Sequence, residues 1–283
     1  MQIENISDTA RWVAVYRAME TARPDAIFRD PFAERLAGER GRQIVNALPK
    51  GRETAWAMIV RTALFDEILL DAVQTRKVDL VVNLAAGLDA RPWRLPLPPS
   101  LHWVDIDLPG ILQYKAESLR NETTVCRYEA VTADLKDRPA RQELFARLGA
   151  GSSRAIVATE GLLVYLPPEQ VAALATDLHA QPSFTWWLID LASPRLLKWM
   201  SQLWGKQLEE GGSPFLFGPA EGTDFFRPYG WREEQFRSTW NEARRLNRTM
   251  KRAWLWNLIG RLYPKKVREG FKRFSGTVLL ERV

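Results

Sequence analysis

The chain has 283 residues, 46% of them hydrophobic, with one cysteine, two histidines and a formal net charge of +6. That is enough chain to bury a large core. It holds too few Cys and His for a disulfide framework or a metal site built from them, so no metal is expected. No apolar run reaches the ~18 residues that span a bilayer, and the opening residues lack a charged-then-apolar leader pattern. A cytoplasmic protein without membrane insertion is expected.

In chain order, helices are expected over 7–21, from Pro31 to about Arg40 with Asp30 as cap, and over 53–75. Alternating strands and helices then run from about 78 to 191. The first strand, Leu80-Val81-Val82, breaks into Ala85-Ala86-Gly87. A turn poor in β-carbons lets backbone N–H groups approach a polar ligand closely. Alone it is weak, since it lacks two of the three glycines of the dinucleotide fingerprint and buried strands end in such turns for packing reasons.

The following strands strengthen it. The second, 102–107, ends in carboxylates before Pro109, which suits the first turn of a helix. The third, 124–131, leads into Asp134, the fourth, 154–159, into Glu160-Gly161, and the fifth, 184–191, carries Asp190. Successive strand ends therefore bear Gly87, Asp107, Asp134, Glu160 and Asp190, where open α/β sheets form their ligand crevice. A carboxylate ending the second strand suits ribose, because it accepts from two adjacent hydroxyls.

From 192 to 230 the pattern is punctuated by Pro194, Gly211-Gly212, Pro214, Gly218-Pro219 and Gly222. A segment of that length reads as a lid or substrate-binding insertion. Ten aromatic residues fall within 186–231, about twice the chain's 11% average, and read as core together with the wall of an apolar acceptor pocket. Helices are expected over 232–245 and 250–262, then a closing strand over 274–282. Segment 248–283 holds ten Lys/Arg against two Glu, which leaves 1–247 at −2. Met250, Trp254, Leu258 and Leu262 follow a helical stripe, so the basic residues read as a solvated face and no nucleic-acid partner is expected.

At this point the chain resembles S-adenosylmethionine-dependent methyltransferases of the leucine carboxyl methyltransferase type, whose bacterial relatives include polyketide O-methyltransferases. Asn83-Leu-Ala-Ala-Gly-Leu-Asp-Ala-Arg-Pro-Trp-Arg-Leu95 is similar to the family's D-L-G-x-G-L-D-T-R-x-x-R-L. Val104-Asp-Ile-Asp-Leu-Pro-Gly-Ile-Leu112, Lys115, Ala133-Asp-Leu135 and Glu160-Gly-Leu-Leu-Val-Tyr-Leu-Pro167 continue it. Asp8-Thr-Ala-Arg-Trp-Val-Ala14, Arg17-Ala18 and Asp30-Pro-Phe-Ala33 look like its opening helices. Two positions depart. Asn83 stands where the family has Asp and loses a charge, and Ala85 stands for a Gly, adding a methyl and disfavouring positive φ. Neither is bulky enough to fill a site, so the reading is a working variant.

The resemblance implies an α/β class I methyltransferase, Rossmann-like, with a seven-stranded, mostly parallel sheet. The closing strand would run antiparallel between strands five and six. One domain over 1–283 is expected, with a helical cap (1–76), a cofactor core (77–191), a lid (192–247) and the basic helices with the final strand (248–283). The implied cofactor is S-adenosyl-L-methionine, held by Arg61, Ala85, Gly87, Asp107, Leu108, Asp134, Leu135 and Glu160. Asp107 would bond the ribose, and Asp134 with the Leu135 backbone the adenine. Arg61 would take the α-carboxylate through its planar fork, and Glu160 the α-amine.

The acceptor is read from what is missing. His102 opens a strand and His179 lies late in a helix, so neither is placed as a base. A carboxylate has a lone pair at neutral pH without one. A small, largely apolar acid or acidic hydroxyl is therefore expected, with Tyr165 and Tyr229 as hydrogen-bonding candidates and the catalytic residues unassigned. The alternatives are a protein C-terminal carboxyl methyltransferase, a nicotinamide-dependent oxidoreductase, and a non-catalytic binding relative. The first two differ in cofactor. The third rests on Asn83 and Ala85.

Overall fold

The computed structural model describes residues 6–210, 212, 214–250 and 272–283. The helix expected over 250–262 lies almost wholly outside these. Seven strands form one sheet in the order β3-β2-β1-β4-β5-β7-β6. They are β1 (Leu80–Leu84), β2 (His102–Asp107), β3 (Arg127–Thr132), β4 (Ala155–Thr159), β5 (Phe184–Ala192), β6 (Trp231–Ser238) and β7 (Ser275–Arg282). The first five pair in parallel, and β7 runs antiparallel to both β5 and β6. The closing strand therefore sits inside the sheet, as expected. The central β1 and β4 are buried along their whole length, which explains why they read as continuous apolar runs.

Before the sheet come α1 (Ile6–Thr21), α2 (Ala33–Ala47), bent at Gly38 where φ is 59°, and α3 (Ala55–Gln74). Asp30 caps the turn ahead of α2, its carboxylate accepting from Phe32 N–H at 3.1 Å, so the helix proper starts two residues after Pro31. The crossover elements are α4 (Arg91–Arg94), α5 (Pro109–Ser118), α6 (Arg138–Ala150) and α7 (Pro168–His179). The strand order reverses between β1 and β4, and the crevice opens beyond their carboxyl ends.

Three expectations need correction. The third strand starts later than 124, because Val125 N–H bonds Pro92 O at 2.8 Å and leaves the ladder to begin at Arg127. Residues 194–210 are a regular helix, α8 (Pro194–Glu210), where the glycines and prolines had suggested an irregular insertion. Pro194 opens it, and Leu196 N–H and Leu197 N–H return to Ser193, at 3.3 Å to its hydroxyl and 2.9 Å to its carbonyl. The third correction concerns 232–245, of which only α9 (Thr239–Arg245) is helical, while 231–238 forms β6. Arg-Glu-Glu-Gln favours a helix intrinsically, but this strand lies at the sheet edge, where both faces can carry charge. Arg232 pairs with Glu281, Glu233 with Arg273 and Glu234 with Arg76.

Candidate cofactor and acceptor site

The crevice is part of a cavity of about 1480 Å³ that collects all eight expected cofactor residues: Arg61, Ala85, Gly87, Asp107, Leu108, Asp134, Leu135 and Glu160. The turn after β1 forms its floor. Ala85 and Gly87 both take left-handed φ, 52° and 53°. Asp107 at the end of β2 accepts from Gly87 N–H at 2.6 Å with one oxygen and from Leu108 N–H at 2.7 Å with the other. Burial raises its pKa, and those two N–H groups partly offset the shift. Asp134 lies in an exposed turn, with Oδ1 accepting from Lys136 N–H at 2.9 Å.

The other wall is an ion network that joins two of the quoted motifs, 83–95 and 160–167, to α3 and β5. Arg61, on α3, bonds Glu160 through Nε at 3.0 Å and Asp190 through Nη1 at 3.0 Å. Burial opposes its charge, but Asp190 and Glu160 outweigh it and hold the guanidinium protonated. Arg91 joins Glu160 (2.9 Å), Asp89 (2.6 Å) and Asp66 (2.6 Å). Asp66 is shared with Arg94 at 2.7 Å. Burial pushes Asp89 up, yet Arg91, Lys115 and Arg94 pull its carboxyl down to about 2. Asn83 donates its amide to Asp105 at 2.9 Å and to Asp89 at 3.2 Å. The departure from Asp at 83 thus supplies a neutral donor between two acids, where a third carboxylate would repel both.

Beyond this network an apolar wall lies beside charged residues that include Glu20, Lys50, Glu53 and Arg248. Trp12 and Val13 from α1, Trp56 and Met58 from α3, Leu196, Trp199, Met200 and Trp204 from α8, and Tyr165, Phe215 and Phe217 form that wall. Trp12 and Trp204 meet edge-on at 5.1 Å, Tyr165 stacks on Phe215 at 5.6 Å, and Trp204 Nε1 bonds Pro49 O at 2.9 Å. The aromatic run thus divides. Trp199, Trp204, Phe215 and Phe217 face the cavity, while Trp187, Phe225, Phe226, Tyr229 and Trp231 pack behind the sheet. Tyr229 is therefore no part of the site. Neither histidine lines it: His102 pairs with Glu129 at 3.0 Å, and His179 Nε2 bonds Val283 O at 3.1 Å.

A sequence profile of the leucine carboxyl methyltransferase family matches residues 10–179. The chain belongs to that family. Curated relatives provisionally named S-adenosyl-L-methionine-dependent methyltransferases include one from Streptomyces coelicolor, 32% identical over 193 residues, covering 64% of this chain and 67% of its own. Another, from Mycolicibacterium gilvum, is 37% identical over 194 residues, covering 62% of each chain. The aligned stretch spans 58–67% of the length of such relatives. Two solved structures share the fold. One, described as a methyltransferase of Thermobifida fusca, has a TM-score of 0.62 at 14% identity and covers 99% of this chain and 95% of its own. A DUF574 protein of Streptomyces avermitilis has a TM-score of 0.60 at 12% identity, covering 95% and 97%.

The cofactor of these leucine carboxyl methyltransferase relatives is S-adenosylmethionine, and the residues present fit it. A Cβ on Gly87 would stand 3.1 Å from that of Ala10, and one on Gly161 3.1 Å from Arg61 Nη1, so both backbones need glycine where they border the cavity. A carboxylate lies at the end of β2 for a diol, and paired charges of both signs lie at the opposite wall for a zwitterion. Sequence reasoning placed Asp190 at the crevice and Asp89 and Arg91 within the motif at 83–95, but gave none of the three a role. Asp190 ends a strand as the other acids do, and that was its available signal.

Proposed function

We propose that the protein is an O-methyltransferase that methylates a carboxylate or acidic hydroxyl on a small, largely apolar acceptor. S-adenosylmethionine supplies a methyl group on a sulfonium, which departs as a neutral thioether when an oxygen lone pair displaces it. On this reading Asp107 binds the ribose hydroxyls beside Leu108, and Ala85 and Gly87 bring backbone close to the ligand. Asp134 and the Leu135 backbone meet the adenine, while Arg61 and Glu160 frame the methionine end.

The observation that carries the acceptor assignment is that, among the described residues, neither histidine lines the cavity and Tyr165 is the one titratable side chain of its aromatic wall. Burial pushes the Tyr165 phenol up to about 12, so near neutral pH it stays protonated and takes no proton. Glu160 and Asp190 already accept from Arg61. An acceptor that arrives ionised needs no base, only alignment and exclusion of water. The aromatic wall supplies the exclusion.

The test is a methyl-transfer screen on matched acids, phenols and amides of aromatic and aliphatic bodies, with a leucine-terminated peptide alongside. Acids or acidic phenols should be methylated and their amides left untouched. Methylation of amides or simple amines alone overturns the O-transfer reading, and turnover of the peptide alone moves the acceptor to a protein terminus.

A further inference from the structure

Arg61 is held by two acids that are not equivalent. Glu160 is bound at both oxygens, by Arg61 Nε at 3.0 Å and by Arg91 Nη1 at 2.9 Å. Arg91 is itself fixed by Asp66 and Asp89, and its side chain is 4% exposed. Asp190 touches Arg61 through one oxygen at 3.0 Å, and its other oxygen accepts from Gly161 N–H at 2.7 Å. Its side chain is 23% exposed, against 15% for Glu160, and it lines the cavity. Removing Glu160 from the network would leave Arg91 short of a partner in a buried setting, whereas releasing Asp190 from Arg61 leaves the Gly161 bond intact.

We propose that Asp190 is the exchangeable counter-ion of Arg61: it yields the guanidinium to the α-carboxylate of the methionine moiety and accepts from that moiety's ammonium. The inference rests on the cofactor reading above and moves the ammonium from Glu160, where the motif had placed it, to Asp190. The charges balance. A zwitterion brings one charge of each sign, so Arg61 and Asp190 each exchange one partner for another and no charge is stranded. A ligand carrying the carboxylate alone would meet Arg61 with Asp190 still charged beside it. Glu160 keeps both guanidinium groups in place and acts as a positioning residue.

The experiment is calorimetric binding of three probes: S-adenosylhomocysteine, its analogue lacking the α-amino group, and 5′-methylthioadenosine, which lacks the whole amino-acid part. Wild type should prefer S-adenosylhomocysteine over the deaminated analogue by about tenfold or more, the usual scale of a charge-assisted hydrogen bond. Asp190→Asn keeps an oxygen for Gly161 N–H and removes the charge, so that preference should collapse to about twofold or less. Asp190→Ser should do the same, and Glu160→Gln should retain the preference. Methylthioadenosine should bind all variants alike, which reports an intact adenosine site. A preference that survives in Asp190→Asn overturns the assignment, and one lost in Glu160→Gln alone returns the ammonium to Glu160. Wild type that binds none of the three probes overturns the cofactor reading itself.

Discussion

Ala85 sits at φ 52°, a left-handed conformation that costs a residue with a β-carbon roughly 1–2 kcal/mol. Ala85→Gly should therefore stabilise the fold by up to about 1 kcal/mol, after the glycine's greater freedom when unfolded is subtracted. Gly87→Ala should do the reverse, since φ is 53° and the new methyl would press on Ala10 at 3.1 Å. Urea-unfolding midpoints of both variants check the pair. If Ala85→Gly is less stable than wild type, the strain argument is wrong. At this scale much of the candidate site was legible, because Gly87, Asp107, Asp134 and Glu160 each stand at or just past a strand end and strand ends are recognisable. Asp190 was legible as a strand-end acid of the crevice, but its pairing was not. Its partner Arg61 is 129 positions away, and nothing in local sequence encodes which helix faces which strand end.

Among the elements, β6 and α8 are where local preference misled. Arg232-Glu-Glu-Gln-Phe-Arg237 has the composition of an exposed helix, and only its pairing with β7 and the ion pairs on both faces make it a strand. Tertiary context outweighed propensity there, as it does on sheet edges generally. The same contact yields a test. Gly276 of β7 sits where a Cβ would lie 2.4 Å from Phe236 Cζ and 2.8 Å from Arg237 O. The ring can turn, but the carbonyl belongs to the paired strand and cannot move without breaking register. Gly276→Ala should cost about 1–3 kcal/mol by overpacking, read as a lower urea midpoint. An unchanged midpoint means β6 is free to slide. The strands β1 and β4 were legible because buried parallel strands are apolar along their length and break at recognisable turns, and β2 because its carboxylates precede a helix-starting proline.

Across the whole molecule, burial of so many paired charges ties stability to acid. Asp89 titrates near 2 in the folded protein, below the roughly 3.9 of an unfolded aspartate. A lowered folded pKa gives stability that is present above the unfolded value and lost as pH falls through the folded one. Asp89 alone should thus withdraw about 2 kcal/mol between about pH 4 and pH 2. Urea unfolding across that window should show a steep acid limb in wild type and a shallower one in Asp89→Asn. Equal slopes would place the acid sensitivity elsewhere in the network.

The sheet order also bears on how the chain is made. β7 lies between β5 and β6 but leaves the ribosome after both, with 83 positions between paired residues Ala192 and Ser275. Until it emerges, β5 has an unpaired inner edge at Trp187, Leu188 and Ile189, and β6 has no partner strand. The half of the sheet from β3 to β5 can assemble during translation, whereas the other half waits for an insertion into a gap already flanked on both sides. A nascent chain held at that stage exposes two strand edges of the kind that pair with other chains. Since Phe274, Ser275, Gly276 and Thr277 also line the cavity, its wall closes only when this late strand docks. The half-made protein is thus at once the form most open to aggregation and one in which the binding chamber is incomplete.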